Sequence, residues 1–185
     1  MALKYTGMDN ELVIRFADVD DINTIGFLAQ QIWPEAYGSI LKAEQISYML
    51  NLFYSPESLV DQMKKQKHMF VLAELEEEPV GFASFGPLDA TGLYKLHKLY
   101  VLPNKQGKGL GKALLDFVIE EIKAENSTTE LSKAKNPKAI RLGVNRFNPA
   151  LNFYERLGFS KIKEEKTDIG HGFIMDDYIM ELKIS

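Results

Sequence analysis

Strands alternate with helices along this chain, and the alternation predicts a single α/β domain built on one mixed sheet. Three observations carry that expectation. Short apolar runs bounded by turn residues recur from residue 11 onward. Between them, apolar residues fall at three- and four-residue spacing, as amphipathic helices require. The 185 residues, 45% hydrophobic, suffice for one core but not two. No internal repeat or interdomain linker is visible, so residues 1–185 read as one domain.

The first strand is Glu11-Leu-Val-Ile-Arg-Phe16. Ala17-Asp-Val-Asp-Asp21 follows, with acids suited to a helix N-terminus. Ile22, Ile25, Leu28, Ala29 and Ile32 form the apolar stripe of that helix, and Pro34 is expected to end or kink it. Residues 35–66 read as mostly helical, with Ile46, Met49, Leu50 and Phe53 on one face. Within them Ser55-Pro56-Glu57 restarts a helix, followed by Leu59 and Met63. At residue 68 the pattern changes. Residues 68–74 and 80–85 form a hairpin around a polar turn at 76–79, and Gly86-Pro87 is expected to break it.

A third strand, 94–102, stops at Pro103-Asn104, and a glycine-rich turn leads into a helix lined by Leu110, Leu114, Phe117, Val118 and Ile122. Residues 125–138 read as a polar surface loop with room for one helical turn. A strand at 139–144 and a short helix at 149–157, closed by Gly158, come next. Strands at 159–166 and 177–184, around Gly170-His171-Gly172, complete the order βααββ-βα-βαββ.

Composition excludes several functions. There is no cysteine, so disulfides, Cys-ligated zinc and a cysteine nucleophile are ruled out. Lys plus Arg is 22 against 26 for Asp plus Glu, a net charge of −4, which does not suit a non-specific nucleic-acid binder. No signal peptide or apolar run of membrane-spanning length is visible, so a cytoplasmic location is expected, with no membrane partner. No H-x-x-x-H or similar spacing occurs, so no metal is expected.

Chemistry concentrates in Leu99-Tyr-Val-Leu-Pro-Asn-Lys-Gln-Gly-Lys-Gly-Leu-Gly-Lys112. Glycines at 107, 109 and 111 occupy a strand-to-helix junction. There, backbone N–H groups can converge unobstructed and the helix dipole adds positive charge, which suits a pyrophosphate. Lys105, Lys108 and Lys112 add cations. The spacing fits neither a P-loop nor the G-x-G-x-x-G dinucleotide fingerprint. A turn that merely permits tight packing is the alternative.

Gln106-Gly-Lys-Gly-Leu-Gly111, after Lys98-Leu-Tyr-Val-Leu-Pro103, resembles the acetyl-CoA signature Q/R-x-x-G-x-G/A of the GNAT superfamily of N-acetyltransferases. Ile140-Arg-Leu-Gly-Val-Asn145, Asn148 and Asn152-Phe-Tyr-Glu-Arg-Leu-Gly-Phe159 agree with that family's distal pattern. The resemblance implies one mixed, mostly antiparallel sheet flanked by helices, with two strands splayed at the coenzyme. More narrowly, Gln31-Ile-Trp-Pro-Glu-Ala-Tyr37, Gln45-Ile-Ser-Tyr-Met-Leu50 and Asp168-Ile-Gly-His-Gly-Phe-Ile-Met-Asp-Asp-Tyr178 are similar to bacterial spermine/spermidine acetyltransferases of the PaiA type.

The resemblance implies acetyl-CoA as co-substrate and direct attack by an amine. The coenzyme would contact Leu99, Tyr100, Val101, Gln106, Gly107, Lys108, Gly109, Leu110, Gly111, Lys112, Asn145, Asn148 and Tyr154. The Val101 N–H would hold the oxyanion, and Tyr154, a phenol protonated at pH 7, would protonate the thiolate. His97 has a pKa range suited to a general base. A water chain ending on Glu35, Glu74 or a backbone carbonyl is the alternative. Asn148 could equally cap the helix at Pro149. Trp33, Glu35 and Tyr37 lie in the segment that would cover a small cationic amine, although such aromatics also suit a core or a dimer surface. A homodimer, a peptide acceptor and a non-catalytic acyl-CoA sensor all stay open.

Overall fold

The computed structural model describes residues 2–5, 11–89, 92–127 and 139–184. They form two compact units: Met1–Gly86 with Lys98–Glu120, and Pro87–His97 with Glu121–Ser185.

The first unit begins with β1 (Ala2–Tyr5) and β2 (Leu12–Ala17), then α1 (Ile22–Tyr37), α2 (Ala43–Tyr54) and α3 (Pro56–Lys64). Next come β3 (Met69–Leu75), β4 (Glu78–Pro87), the second half of β5 (Leu93–Val101) and the start of α4 (Leu110–Ser127). Its strands lie in the order β1-β2-β3-β4-β5, with the first three pairs antiparallel. Phe70, Val71, Leu72 and Ala73 on β3 are all buried, as expected of a strand covered on both faces. Ile14, Leu28, Ile32, Phe82, Phe85, Leu114 and Phe117 complete that core.

Arg15 ties the entry of α1 to the sheet. Its guanidinium donates to both Asp21 oxygens at 2.8 and 2.9 Å and to Glu74 Oε1 at 2.8 Å. Asp21 is thereby held below the usual carboxylate range, chiefly by the hydrogen bond from Arg15.

The second unit holds the first half of β5, then β6 (Ala139–Asn145), α5 (Ala150–Arg156), β7 (Ser160–Asp168) and β8 (Ile174–Lys183). Strand order is β5-β6-β8-β7, with β5–β6 parallel and the other two pairs antiparallel. Ile140, Leu142 and Val144 point into its core with Tyr94, Leu96 and Met180. The alternate residues Lys95, His97, Arg141, Asn145 and Asp177 are half-buried and Gly143 is exposed, giving the opposite face a polar character. The mixed, mostly antiparallel α/β sheet expected from the sequence is present.

Several local expectations need correction. Strand β1 has no counterpart in the sequence reading, because four residues give too little periodicity. Pro34 does not end α1, which runs three residues further to Tyr37. Gly86-Pro87 does not break β4, which includes both residues. Helix α4 extends to Ser127, so 125–127 are helical; the remainder of the expected loop lies outside the described residues. Strand β8 starts at Ile174 rather than 177. The β3–β4 hairpin turns on Glu76 and Glu77, both at positive φ (54° and 65°), which a two-residue turn between right-twisted strands demands.

Candidate active site

The glycine turn is open. Gly107 and Gly109 have φ of 77° and 78°, a region that favours glycine. A Cβ at either position would meet nothing within 4 Å. Packing therefore does not explain these glycines, and backbone conformation does. Residues 106–109 are exposed, and Ala113 N donates to Gly109 O at 2.9 Å as α4 begins. An open stretch of glycine amides before an 18-residue helix fits a pyrophosphate. Of the flanking cations, Lys112 is turned along the helix onto Asp116 at 2.6 Å.

The strand before the turn is shaped for backbone chemistry. Side chains of β5 alternate regularly through Lys98, after which Leu99 and Tyr100 are both half-buried and Val101 is buried. The alternation thus slips by one residue at the position expected to hold the oxyanion. Gly81 on β4 accommodates the slip, since a Cβ there would lie 2.6 Å from Tyr100 O and 3.2 Å from Val101 Cα. Gln106 Nε2 donates to Val101 O at 3.1 Å, so the motif's glutamine fixes the Val101–Leu102 peptide at the end of the strand.

Around Tyr100 lies an aromatic cluster. Its hydroxyl is 3.1 Å from that of Tyr37, and its ring is 5.6 Å from Phe82 and 6.0 Å from Trp33. Trp33 is only 3% exposed and packs on Tyr37 and Tyr54, so its ring presents almost no surface to a ligand. Burial pushes the Tyr54 phenol up strongly. Lys98 is buried beside this cluster, its Nζ donating to Gln62 Oε1 at 2.5 Å and lying 5.4 Å from the Tyr54 and Phe70 ring centroids. Glu35 is exposed and lines a cavity of about 430 Å³ with Gln31, Leu102, Pro103 and Asn104. Glu74 Oε1 accepts from Arg15 Nε at 3.1 Å and Nη2 at 2.8 Å.

In the second unit, Asn145 Oδ1 accepts from Phe147 N at 3.0 Å, and Asn148 Oδ1 accepts from Ala150 N at 2.9 Å. Asn148 thus takes the Ala150 N–H just ahead of α5, whose N-cap is Pro149. Tyr154 on α5 is 8% exposed, with Phe153 and Phe159 5.2 and 5.5 Å away. His97 lies half-buried on the polar face of β5. Among the described residues no three His, Cys, Asp or Glu side chains are grouped to hold a metal, and no helix is long and apolar enough to cross a membrane.

Sequence reasoning missed Asp177. Its carboxyl is pushed up to about 6, first by burial and then by Asp176 and Glu165, against the opposing charge of Lys95. Opposite it on β6 is Asn145, and at Gly143 a Cβ would come 3.2 Å from Asp177 Oδ2. The only sequence signal was a glycine within the strand Ile140-Arg-Leu-Gly-Val-Asn145.

A strand that slips before an open glycine turn, with a helix behind it, suits a phosphate-bearing coenzyme. Residues 66–161, just over half the chain, match the acetyltransferase (GNAT) domain, and the chain belongs to this family of N-acetyltransferases. It is 29% identical over 168 residues to the spermidine N(1)-acetyltransferase of Thermoplasma acidophilum, covering 88% of this chain and 94% of that one. An uncharacterised N-acetyltransferase of Bacillus subtilis is 25% identical over 161 residues, covering 85% of this chain and 86% of that one. Among solved structures, the PaiA N-acetyltransferase of T. acidophilum in complex with coenzyme A superposes with a TM-score of 0.74 at 26% identity, covering 93% of this chain and 98% of that one. The Escherichia coli ribosomal-protein-S18-alanine N-acetyltransferase shares the fold, with a TM-score of 0.66 at 19% identity over 94% of each chain.

Proposed function

We propose that this chain transfers acetyl from acetyl-CoA, by direct attack, to a primary amine of a small cationic acceptor, with polyamines as the acceptor class. The observation that carries the coenzyme assignment is the open pair of positive-φ glycines, Gly107 and Gly109, ahead of α4. The polyamine class is supported by the likeness to a spermidine acetyltransferase along nearly the whole of both chains.

Acetyl-CoA supplies the activated thioester. The N–H groups of Gly107, Lys108, Gly109, Leu110 and Gly111 would hold its pyrophosphate, with Lys108 as the nearby exposed cation. Leu99 and Tyr100 would line the pantetheine arm, and the Val101 N–H would donate to the oxyanion, with Gln106 holding the next peptide through Val101 O. Tyr154 would donate a proton to the thiolate, and the hydrogen-bonded Asn145–Asn148 turn would hold the start of α5 in place. Tyr37 and Glu35 supply an aromatic edge and a negative charge for a cationic amine, with Trp33 packed behind Tyr37. For the proton acceptor the sequence offers His97 or a water chain ending on Glu35, Glu74 or a backbone carbonyl.

Coenzyme A release tests this reading, with spermidine, spermine, putrescine, an aromatic amine and a lysine peptide as acceptors. Turnover highest on a polyamine supports it. Turnover confined to the peptide or the aromatic amine overturns the polyamine class.

A further inference from the structure

The β5–β6 ladder pairs only Leu93–Lys95 with Ala139–Arg141, yet β6 runs on to Asn145 against β8. In this continuation Gly143 is exposed. Its missing side chain is what gives Asp177 its position. A Cβ at 143 would lie 3.2 Å from Asp177 Oδ2, 3.6 Å from Ile179 Cδ1 and 3.9 Å from Asp177 Cβ, so the carboxylate leans over the glycine with the Ile179 methyl beside it.

The surrounding charges leave this carboxylate in an unusual position. On the same face, Arg141 is paired with Glu181 at 2.7 Å, and Glu165, opposite Asp177 on β7, with Lys163 at 3.2 Å. Asp176 points to the other face, toward Arg146 at 2.7 Å and Lys166 at 3.8 Å. Lys95 on β5 is the cation whose field reaches Asp177, and His97 follows it on that strand. Burial and the two neighbouring acids outweigh Lys95 and keep the carboxyl near pH 6, ionised at neutrality but more basic than an ordinary aspartate.

We propose that Asp177 binds the acceptor's ammonium group over Gly143 and takes the proton the amine must lose before it attacks. This rests on the reading that the acceptor is a primary amine. One ammonium proton passes to the Asp177 carboxylate. The nitrogen lone pair then forms the C–N bond to the acetyl carbonyl, and the C–S bond breaks with its electron pair on sulfur. The nitrogen's second proton goes to the thiolate, and the proton on Asp177 returns to solvent.

The test compares the wild type with Asp177→Asn on the best amine of the panel above. In the variant kcat/KM is expected to fall about 10²-fold or more. The wild-type acid limb near pH 6 should disappear with it, as loss of the titrating base requires. A second readout needs no turnover. Because folding raises this carboxyl's pKa, the native state binds the extra proton, and wild-type stability falls as pH rises from about 4 to 6. The variant's Tm should therefore overtake the wild type's across that window and keep its advantage above it. Gly143→Ala, which only crowds the carboxylate, should lower kcat/KM about three- to tenfold at unchanged fold.

Near-native kcat/KM and an intact limb in Asp177→Asn would overturn the proposal, as would loss of the limb in His97→Gln instead. If Asp177→Asn behaves as expected on an amine that is not a polyamine, only the polyamine class fails. If the wild type acetylates no amine, both fall.

Discussion

The glycine turn at 106–111 and the polar face around Asp177 are the two proposed recognition surfaces, and they are made from different material. The turn is made of backbone. Its donors are N–H groups, and its geometry rests on two residues at φ near 78° with open space where side chains would be. The polar face is made of side chains brought together by strand register: Asp177 from β8, Gly143 and Asn145 from β6, Lys95 and His97 from β5. In this proposal backbone recognises what every reaction of the family shares, a phosphate-bearing coenzyme. Side chains can be exchanged one at a time, and they suit the part that differs between acceptors.

Three substitutions sharpen this division. Tyr154→Phe removes a side-chain hydroxyl and nothing from the turn. Turnover should fall about 10²–10³-fold while coenzyme affinity and Tm hold, as expected of a group that acts in the transition state. Near-native turnover in stopped-flow assays would reduce Tyr154 to a packing residue. Gly81→Ala acts on backbone instead. A Cβ 2.6 Å from Tyr100 O forces β4 and β5 apart, and denaturant unfolding should show a loss of about 1–3 kcal/mol. Unchanged stability would mean that the slip at Leu99–Val101 relaxes freely. Lys112→Ala should do least. The ammonium is exposed and already paired with Asp116, so coenzyme affinity should drop less than about threefold. A tenfold loss would show that cations, more than amides, hold the phosphates.

The same division explains what the sequence disclosed. Glycines at 107 and 109 are legible because almost no other residue adopts that backbone conformation, so the site leaves its trace in composition. The α/β order was legible from periodicity, and so was the helix restart at Ser55-Pro56-Glu57, where Ser55 Oγ accepts from Ser58 N at 3.3 Å. Asp177 was not legible. It lies 34 residues from Gly143, and only the β6–β8 register makes them neighbours. Trp33 was left open between acceptor surface and core for a related reason: the sequence shows an aromatic, while only the fold shows that Tyr37, Tyr54 and Tyr100 pack on it. Pro34 inside α1 and Gly86-Pro87 inside β4 show tertiary packing overriding local breakers.

The most direct measurement is a calorimetric titration of acetyl-CoA into the wild type, Gly109→Val and Asp177→Asn. A β-branched residue at φ of 78° is strained and would obstruct the amides, so Gly109→Val should bind about tenfold or more weakly. Asp177→Asn leaves the turn untouched and should bind as the wild type does. If the valine variant, still folded, binds with native affinity, or if the asparagine variant is the one that loses the coenzyme, the assignment of coenzyme to backbone and amine to side chains is wrong.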